Sequence, residues 1–139
     1  MSTARTIAFA LLLAASTARA GTVANDPPPV RLAGSDAPAG SAVWTDHNAQ
    51  SIGNTEIARL IINLGTPRTN ANGMTYRSIG FLVELDCHAG KTALLSMNAR
   101  SDPWGAGRGV SAQDYPRKMM SPRKGTVEDA LLQYHCRVH

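Results

Sequence analysis

The sequence predicts an α+β domain, in which an antiparallel β-meander is covered on one face by a C-terminal helix. Apolar and polar residues alternate in several central segments, as in strands that bury one face. Short segments rich in turn-forming residues separate them, which favours antiparallel pairing of consecutive strands. Near the C-terminus the apolar spacing changes to that of a helix.

The central strands follow from this alternation. A short first strand is predicted over residues 43–46, and Ser51 and Ile52 follow a turn. Residues 55–64 form the next strand, and residues 65–73, "GTPRTNANG", are predicted to be a hairpin loop. The apolar face of this strand comprises Ala58, Leu60, Ile62 and Leu64.

The strand predicted over residues 76–87 is the most regular. Its apolar face comprises Ile79, Phe81, Val83, Leu85 and Cys87. A strand over residues 92–99 follows, with Ala93, Leu95, Met97 and Ala99 on one side. A further short strand is expected near Gly109 and Val110.

The C-terminal segment has a helix start signal. Thr126 stands three residues before Asp129, which is the spacing of a capping box. An apolar stripe follows, comprising Val127, Ala130, Leu131 and Tyr134. Cys136 lies outside this stripe, so a bond to the sheet beneath the helix requires the helix to end near Tyr134 or His135.

The N-terminus has the features of a signal peptide over residues 1–20: Arg5, an apolar run, and the small-residue cleavage site Ala18-Arg19-Ala20. Residues 21–42 are rich in Pro, Gly and Ala and are predicted to be a flexible leader. The folded domain is expected over residues 43–139. The sequence thus predicts an exported protein, periplasmic or secreted, without a lipidation cysteine.

Charge and composition exclude some partners. The net charge of +4 falls further when the basic residues of the signal peptide leave, and aromatic residues make up only 5% of the chain. Neither value favours nucleic-acid binding. No second apolar run is long enough for a transmembrane helix.

Cys87 and Cys136 are the only cysteines, and in an exported domain such a pair usually forms a disulfide. Two alternatives stay open. His88 and His135 adjoin the cysteines, so a Cys₂His₂ metal site is conceivable. A reactive thiol is the other alternative, and a core-facing position disfavours it. We predict the disulfide, with no bound metal and no cofactor.

No catalytic motif is present, so we predict a protein that is not an enzyme. The sequence lacks a Gly-x-Ser-x-Gly elbow and a His-Glu-x-x-His motif. A histidine-based hydrolase using His47 and His88 is the enzymatic alternative, and a metal-binding protein using histidines with Met119 and Met120 is another.

A basic loop before the helix is the candidate partner-binding surface, with solvation alone as its alternative role. We name it the basic loop; its cations are Arg117, Lys118, Arg123 and Lys124. Trp104, in an adjacent Gly-rich loop, is either a contact anchor or a lid over one end of the core.

The order of these segments resembles the surface-adhesin protein E family over about residues 43–136. The most specific matches are Asp46, the "Val-Glu-x-Asp-Cys" strand end at residues 83–87, and Cys136. The resemblance implies a curved antiparallel sheet with a C-terminal helix tethered by a disulfide between Cys87 and Cys136. It also implies binding and not catalysis. The founding adhesin of the family binds host extracellular proteins such as vitronectin and laminin and forms dimers, so a surface partner and a dimer are possible expectations for this chain.

Overall fold

The computed structural model describes residues 29–137, in which one antiparallel sheet of seven strands packs against one helix. The strands are β1 (Val30–Leu32), β2 (Ala42–Thr45), β3 (Gln50–Ile52), β4 (Thr55–Thr69), β5 (Thr75–Asp86), β6 (Lys91–Arg100) and β7 (Gly109–Asp114). The spatial order is β1-β2-β4-β5-β6-β7, and β3 pairs with the beginning of β4. The helix, α1, spans Val127–Cys136. The predicted fold class is confirmed, whereas the predicted signal peptide lies outside the described residues.

The hydrophobic core lies between α1 and the sheet. The predicted alternation in β4 and β5 is confirmed, because the inward residues of both strands join one buried cluster. Leu131 of α1 and Leu85 of β5 are fully buried in it. The other buried members are Val43, Ala58, Leu60, Ile62, Val83 and Val127.

Because β6 contains a bulge, half of the apolar face predicted for that strand is wrong. Leu82 pairs with Ser96, but the next residue, Val83, pairs with Leu94, so Leu95 is an extra residue in the ladder. The alternation reverses across a bulge. Met97 therefore lies on the helix side of the sheet as predicted, whereas Leu94 takes the place predicted for Leu95 and packs against the core.

The hairpin between β4 and β5 is shorter than predicted. β4 continues through "GTPRT" to Thr69, with an irregularity in register between Asn63 and Arg68. Asn70 organises the loop that remains, because its Oδ1 accepts hydrogen bonds from the N–H groups of Asn72 and Met74. Side-chain bonds of this kind are what make Asn a turn former.

Part of the predicted flexible leader belongs to the fold. β1 pairs with β2, and the segment after β1 contacts the start of α1. The N–H of Ser35 donates to the carbonyl of Gly125 at 2.7 Å. Asp36 Oδ1 accepts from the N–H of Val127 at 2.8 Å, which adds a carboxylate at the positive end of the helix. β1 and this segment therefore belong to the fold, although they precede the predicted boundary at residue 43.

The start of α1 is as predicted, and its end is not. Thr126 is the N-cap, and its hydroxyl accepts from the N–H of Asp129 at 3.3 Å. The helix continues through Cys136, past the predicted end near Tyr134 or His135. Its fully buried positions are Val127, Leu131 and His135, spaced four residues apart, whereas the predicted Ala130 and Tyr134 are half-buried.

Cys87 and Cys136 form the predicted disulfide, with their Cα atoms 5.3 Å apart. The placement of Cys87 on the core face is wrong. β5 ends at Asp86, and Cys87 is exposed in the turn that follows. The bond therefore joins the end of β5 to the last turn of α1 at the margin of the sheet, and this explains why the helix need not stop early to reach inward.

A candidate binding groove on the helix-free face

The sheet face opposite α1, which we call the helix-free face, carries the candidate site. Strand pairing aligns its side chains into rows that cross the strands, because opposed residues point to the same side of the sheet. One row consists of Arg31, Trp44, Ile61, Gly80, Asn98 and Ala112. The neighbouring row consists of Arg59, Leu82, Ser96 and Asp114.

Gly80 leaves a gap in the middle of the first row. A Cβ atom at this position would lie 2.9 Å from Asn98 Oδ1, so the glycine makes room for the Asn98 amide over the floor of the sheet. Above this floor is a cavity of about 310 Å³, near the lower limit for small-molecule sites. Its lining includes Ile61, Leu82 and Arg100.

One wall of the groove is the loop of residues 101–108, which we call the Trp104 loop. Its backbone is fixed to the sheet by side chains of β4 and β5. The Trp104 N–H donates to Asn63 Oδ1 at 2.7 Å, and the Gly105 N–H donates to Ser78 Oγ at 2.9 Å. The φ angle of Trp104 is +64°, a left-handed conformation that is uncommon for a bulky residue. Such conformations concentrate at functional sites.

Trp104 packs against Trp44 on this face, with ring centroids 5.1 Å apart and planes inclined at 50°. One of the two roles predicted for Trp104 is a lid over one end of the core. Its packing on the helix-free face does not fit that role. Trp104 is half exposed to solvent, at 48%. A second cavity, of about 250 Å³, is lined by both indoles and shares Arg59 and Ile61 with the first.

Three arginines stand around the two cavities. The guanidinium of Arg31 lies over the Trp44 ring, 5.9 Å from its centroid. Arg59 forms an exposed ion pair with Asp46 at 3.0 Å. Arg100 Nε donates to the carbonyl of Gly105 at 3.2 Å, which leaves its terminal nitrogens for other partners. The helix-free face thus combines a groove, two indoles and three cations.

The predicted basic loop does not line either cavity of the groove. Residues 115–124 run beside β6, where Met120 and Thr92 exchange backbone hydrogen bonds. Arg117 is held by Glu84 in a bidentate pair, with Nε–Oε1 and Nη2–Oε2 distances of 2.6 and 3.1 Å. Lys118, Arg123 and Lys124 are exposed. That this loop binds a partner stays a prediction.

The hydrogen bond from Arg117 holds the pKa of Glu84 below its ordinary value of 4.5. Burial acts in the opposite direction and raises the pKa, whereas the hydrogen bond from the Thr55 hydroxyl and the charge of Arg117 lower it further. At pH values between the folded-state pKa of Glu84 and its ordinary pKa, the unfolded state therefore binds more protons than the folded state. The ion pair stabilises the fold above about pH 4.5, and this contribution is lost as the pH falls through the folded-state pKa.

Replacing Arg117 by Gln is expected to destabilise the protein at neutral pH but not in acid. Urea midpoints of the wild type and R117Q should converge as the pH is lowered from about 6 towards 2, because protonated Glu84 no longer needs the cation. R123Q is the matched control and should follow the wild type throughout, since Arg123 is exposed. A difference between wild type and R117Q that is the same at every pH would contradict this account.

The histidines do not line the groove. His47 Nδ1 lies 3.3 Å from the Tyr134 hydroxyl, and buried His135 has its Nε2 3.0 Å from Thr45 Oγ1. His88 is exposed in the turn after Cys87. Within residues 29–137, no three or more His, Cys, Asp or Glu side chains gather in a way that could hold a metal ion.

The sequence contains a signal for the groove in the polar phase of β5. Leu82 interrupts this polar phase, and Gly80 stands within it. Glycine inside a strand often marks a close approach of a ligand or of another backbone. Trp44 and Gly80 are far apart in the chain, and only the register of β2, β4 and β5 brings them into one row.

The fold defines a class of small domains in which a helix covers one face of an antiparallel sheet, and no helix among the described residues covers the other face. The profile of the surface-adhesin protein E family matches residues 31–137. The chain belongs to this family and is an adhesin-like protein.

Solved structures of Haemophilus influenzae protein E show the same fold at low sequence identity. One has a TM-score of 0.60 at 14% identity, over 79% of this chain and 94% of that one. A second crystal form has a TM-score of 0.61 at 15% identity, over 78% and 97%. Protein E from non-typeable H. influenzae has a TM-score of 0.58 at 16% identity, over 81% and 86%.

Comparison with curated proteins finds no match. Between residues 29 and 137, no helix has the length and apolar character needed to cross a membrane.

Proposed function

We propose that this chain is an exported, non-enzymatic binding domain, and that its helix-free face contacts a macromolecule on a host or other surface. The observation that carries the proposal is the groove across the strands, whose two adjoining cavities are lined by Trp44, Trp104, Arg59 and Arg100. Tryptophan and arginine are the residues most enriched among those that dominate binding energy at protein surfaces. Membership of the adhesin family supports the same class of function.

The geometry of the sheet also supports this choice of face. The side that packs on α1 contains the buried core, so its side chains maintain stability. The helix-free face keeps Leu82 and Trp104 exposed, at 42% and 48%. Exposed apolar side chains grouped beside polar ones are typical of interaction sites. The basic loop is the competing surface, because Lys118, Arg123 and Lys124 are exposed.

Two sets of substitutions separate the groove from the basic loop. W104N removes the indole but keeps a residue type that tolerates positive φ, and it is combined with R100Q. The control, K118A/R123A/K124A, removes three charges from the basic loop. Binding of the folded mature chain to immobilised extracellular-matrix proteins, including vitronectin and laminin, is measured by surface plasmon resonance.

We expect W104N/R100Q to weaken binding at least about tenfold, and the control to stay within about twofold of the wild type. The opposite pattern would move the site to the basic loop. An absence of binding across the whole panel would contradict a role in contacting host surfaces.

A further inference from the structure

We propose that the groove takes an acidic saccharide, namely a glycan chain that carries sulfate or uronate groups. This inference rests on the proposed function and names the ligand chemistry of the same face. Four properties of the groove support it: an exposed indole, guanidinium groups with free donors, polar side chains on the floor, and two adjoining cavities.

The indole provides a stacking surface. A sugar ring presents C–H groups on one face, and these pack well against the electron-rich face of an aromatic ring. Trp104 is 48% exposed and is held at the wall of the groove by hydrogen bonds of its loop to Asn63 and Ser78. Because the backbone is fixed, the indole is positioned before a ligand arrives, which reduces the entropy lost on binding.

The guanidinium groups favour negative charge. Arg59 uses Nε and Nη2 on Asp46, and Arg100 uses Nε on a carbonyl. Nη1 of Arg59 and both terminal nitrogens of Arg100 have no hydrogen-bond partner within residues 29–137 and can bind a ligand. Arginine forks match carboxylate and sulfate oxygens in geometry. Asp46 is the only acid that lines either cavity among the described residues, and it is paired with Arg59.

The floor offers hydrogen bonds suited to hydroxyl groups. The hydroxyl of Ser96 and the amide of Asn98 line the first cavity, and neither side chain hydrogen-bonds another residue within the described part of the chain. Trp44 lines the second cavity, and its buried indole N–H has no acceptor among residues 29–137. Buried donors without an acceptor are rare in native folds and call for an explanation. An oxygen-rich ligand in the second cavity, which both indoles line, brings acceptors to this part of the groove.

The shape of the site favours a saccharide over an extended peptide. Peptides that add to sheets bind at an edge, where free N–H and C=O groups pair with the peptide backbone. The groove lies on the face of β4, β5 and β6, whose backbone groups are already paired within the ladder. A sugar chain has no peptide backbone to satisfy. The two cavities, of about 310 and 250 Å³, adjoin at Arg59 and Ile61, an arrangement that fits successive rings of one chain.

The chain supplies its own reporter for the test, since Trp44 and Trp104 are its only tryptophans and both line the groove. The mature wild-type chain is titrated with a heparin-derived hexasaccharide, and the intrinsic tryptophan emission is recorded. We expect a saturable change in emission. R59Q/R100Q and W104N should weaken binding at least about tenfold, whereas W104F should stay within about threefold and K118A/R123A/K124A within about twofold. Circular dichroism confirms that each variant is folded.

Four results can overturn the inference. Equal binding of maltohexaose would remove the requirement for acidic groups, and equal binding of hexaglutamate would remove the requirement for a sugar. Heparin binding that is lost only in K118A/R123A/K124A would place the site on the basic loop. No emission change with the hexasaccharide, together with matrix-protein binding that W104N/R100Q abolishes, would refute the saccharide while leaving the proposed function intact.

Discussion

Replacing Cys87 and Cys136 together by serine is expected to lower the free energy of unfolding by about 4 kcal/mol. The disulfide joins residues 49 positions apart, and a cross-link over such a loop removes about this much conformational free energy from the unfolded chain. Because typical domains are stable by about 5–15 kcal/mol, the variant should be only marginally folded. Urea unfolding followed by circular dichroism measures the loss.

Reduction provides the matched control for this prediction. Cys87 is exposed, so dithiothreitol should reach the bond in the folded protein. The reductant should lower the urea midpoint of the wild type to that of the double-serine variant and leave the variant unchanged. Equal midpoints for the wild type and the variant without reductant would show that the disulfide is not what fastens α1 to the sheet.

Replacing Leu131 by alanine is expected to cost about 3 kcal/mol. Leu131 is fully buried at the centre of the helix face, in the same cluster as Leu85, and truncation leaves a cavity that neighbouring side chains fill only in part. Leu132 is the control, because it is only partly buried beside this cluster. L132A should cost clearly less than L131A, and the same urea experiment compares them. Similar losses would contradict the orientation of α1.

The core could be predicted from the sequence because its signals are local. Alternation in β4 and β5 and the Thr126 cap each depend on residues within a few positions of one another. β1 could not be found this way. It has three residues, follows a proline-rich segment, and is a strand because β2 lies beside it. The bulge at Leu95 likewise arises from pairing with β5.

The groove depends on non-local register even more strongly. Trp44, Gly80 and Asn98 come from three strands, and Trp104 reaches them through contacts of its loop with Asn63 and Ser78. The basic loop stood out in the sequence because its charges are contiguous. The contiguous charges did not indicate that the guanidinium of Arg117 forms an ion pair with Glu84 of β5.

The central claim is that the helix-free face is the binding surface. The most direct measurement is ¹⁹F NMR of the mature chain labelled with 5-fluorotryptophan, which gives one resonance for Trp44 and one for Trp104. The partner is added unlabelled, so only the groove is observed. We predict that the Trp104 resonance shifts or broadens in proportion to the bound fraction. Two resonances that stay unchanged while the partner is fully bound would contradict the claim.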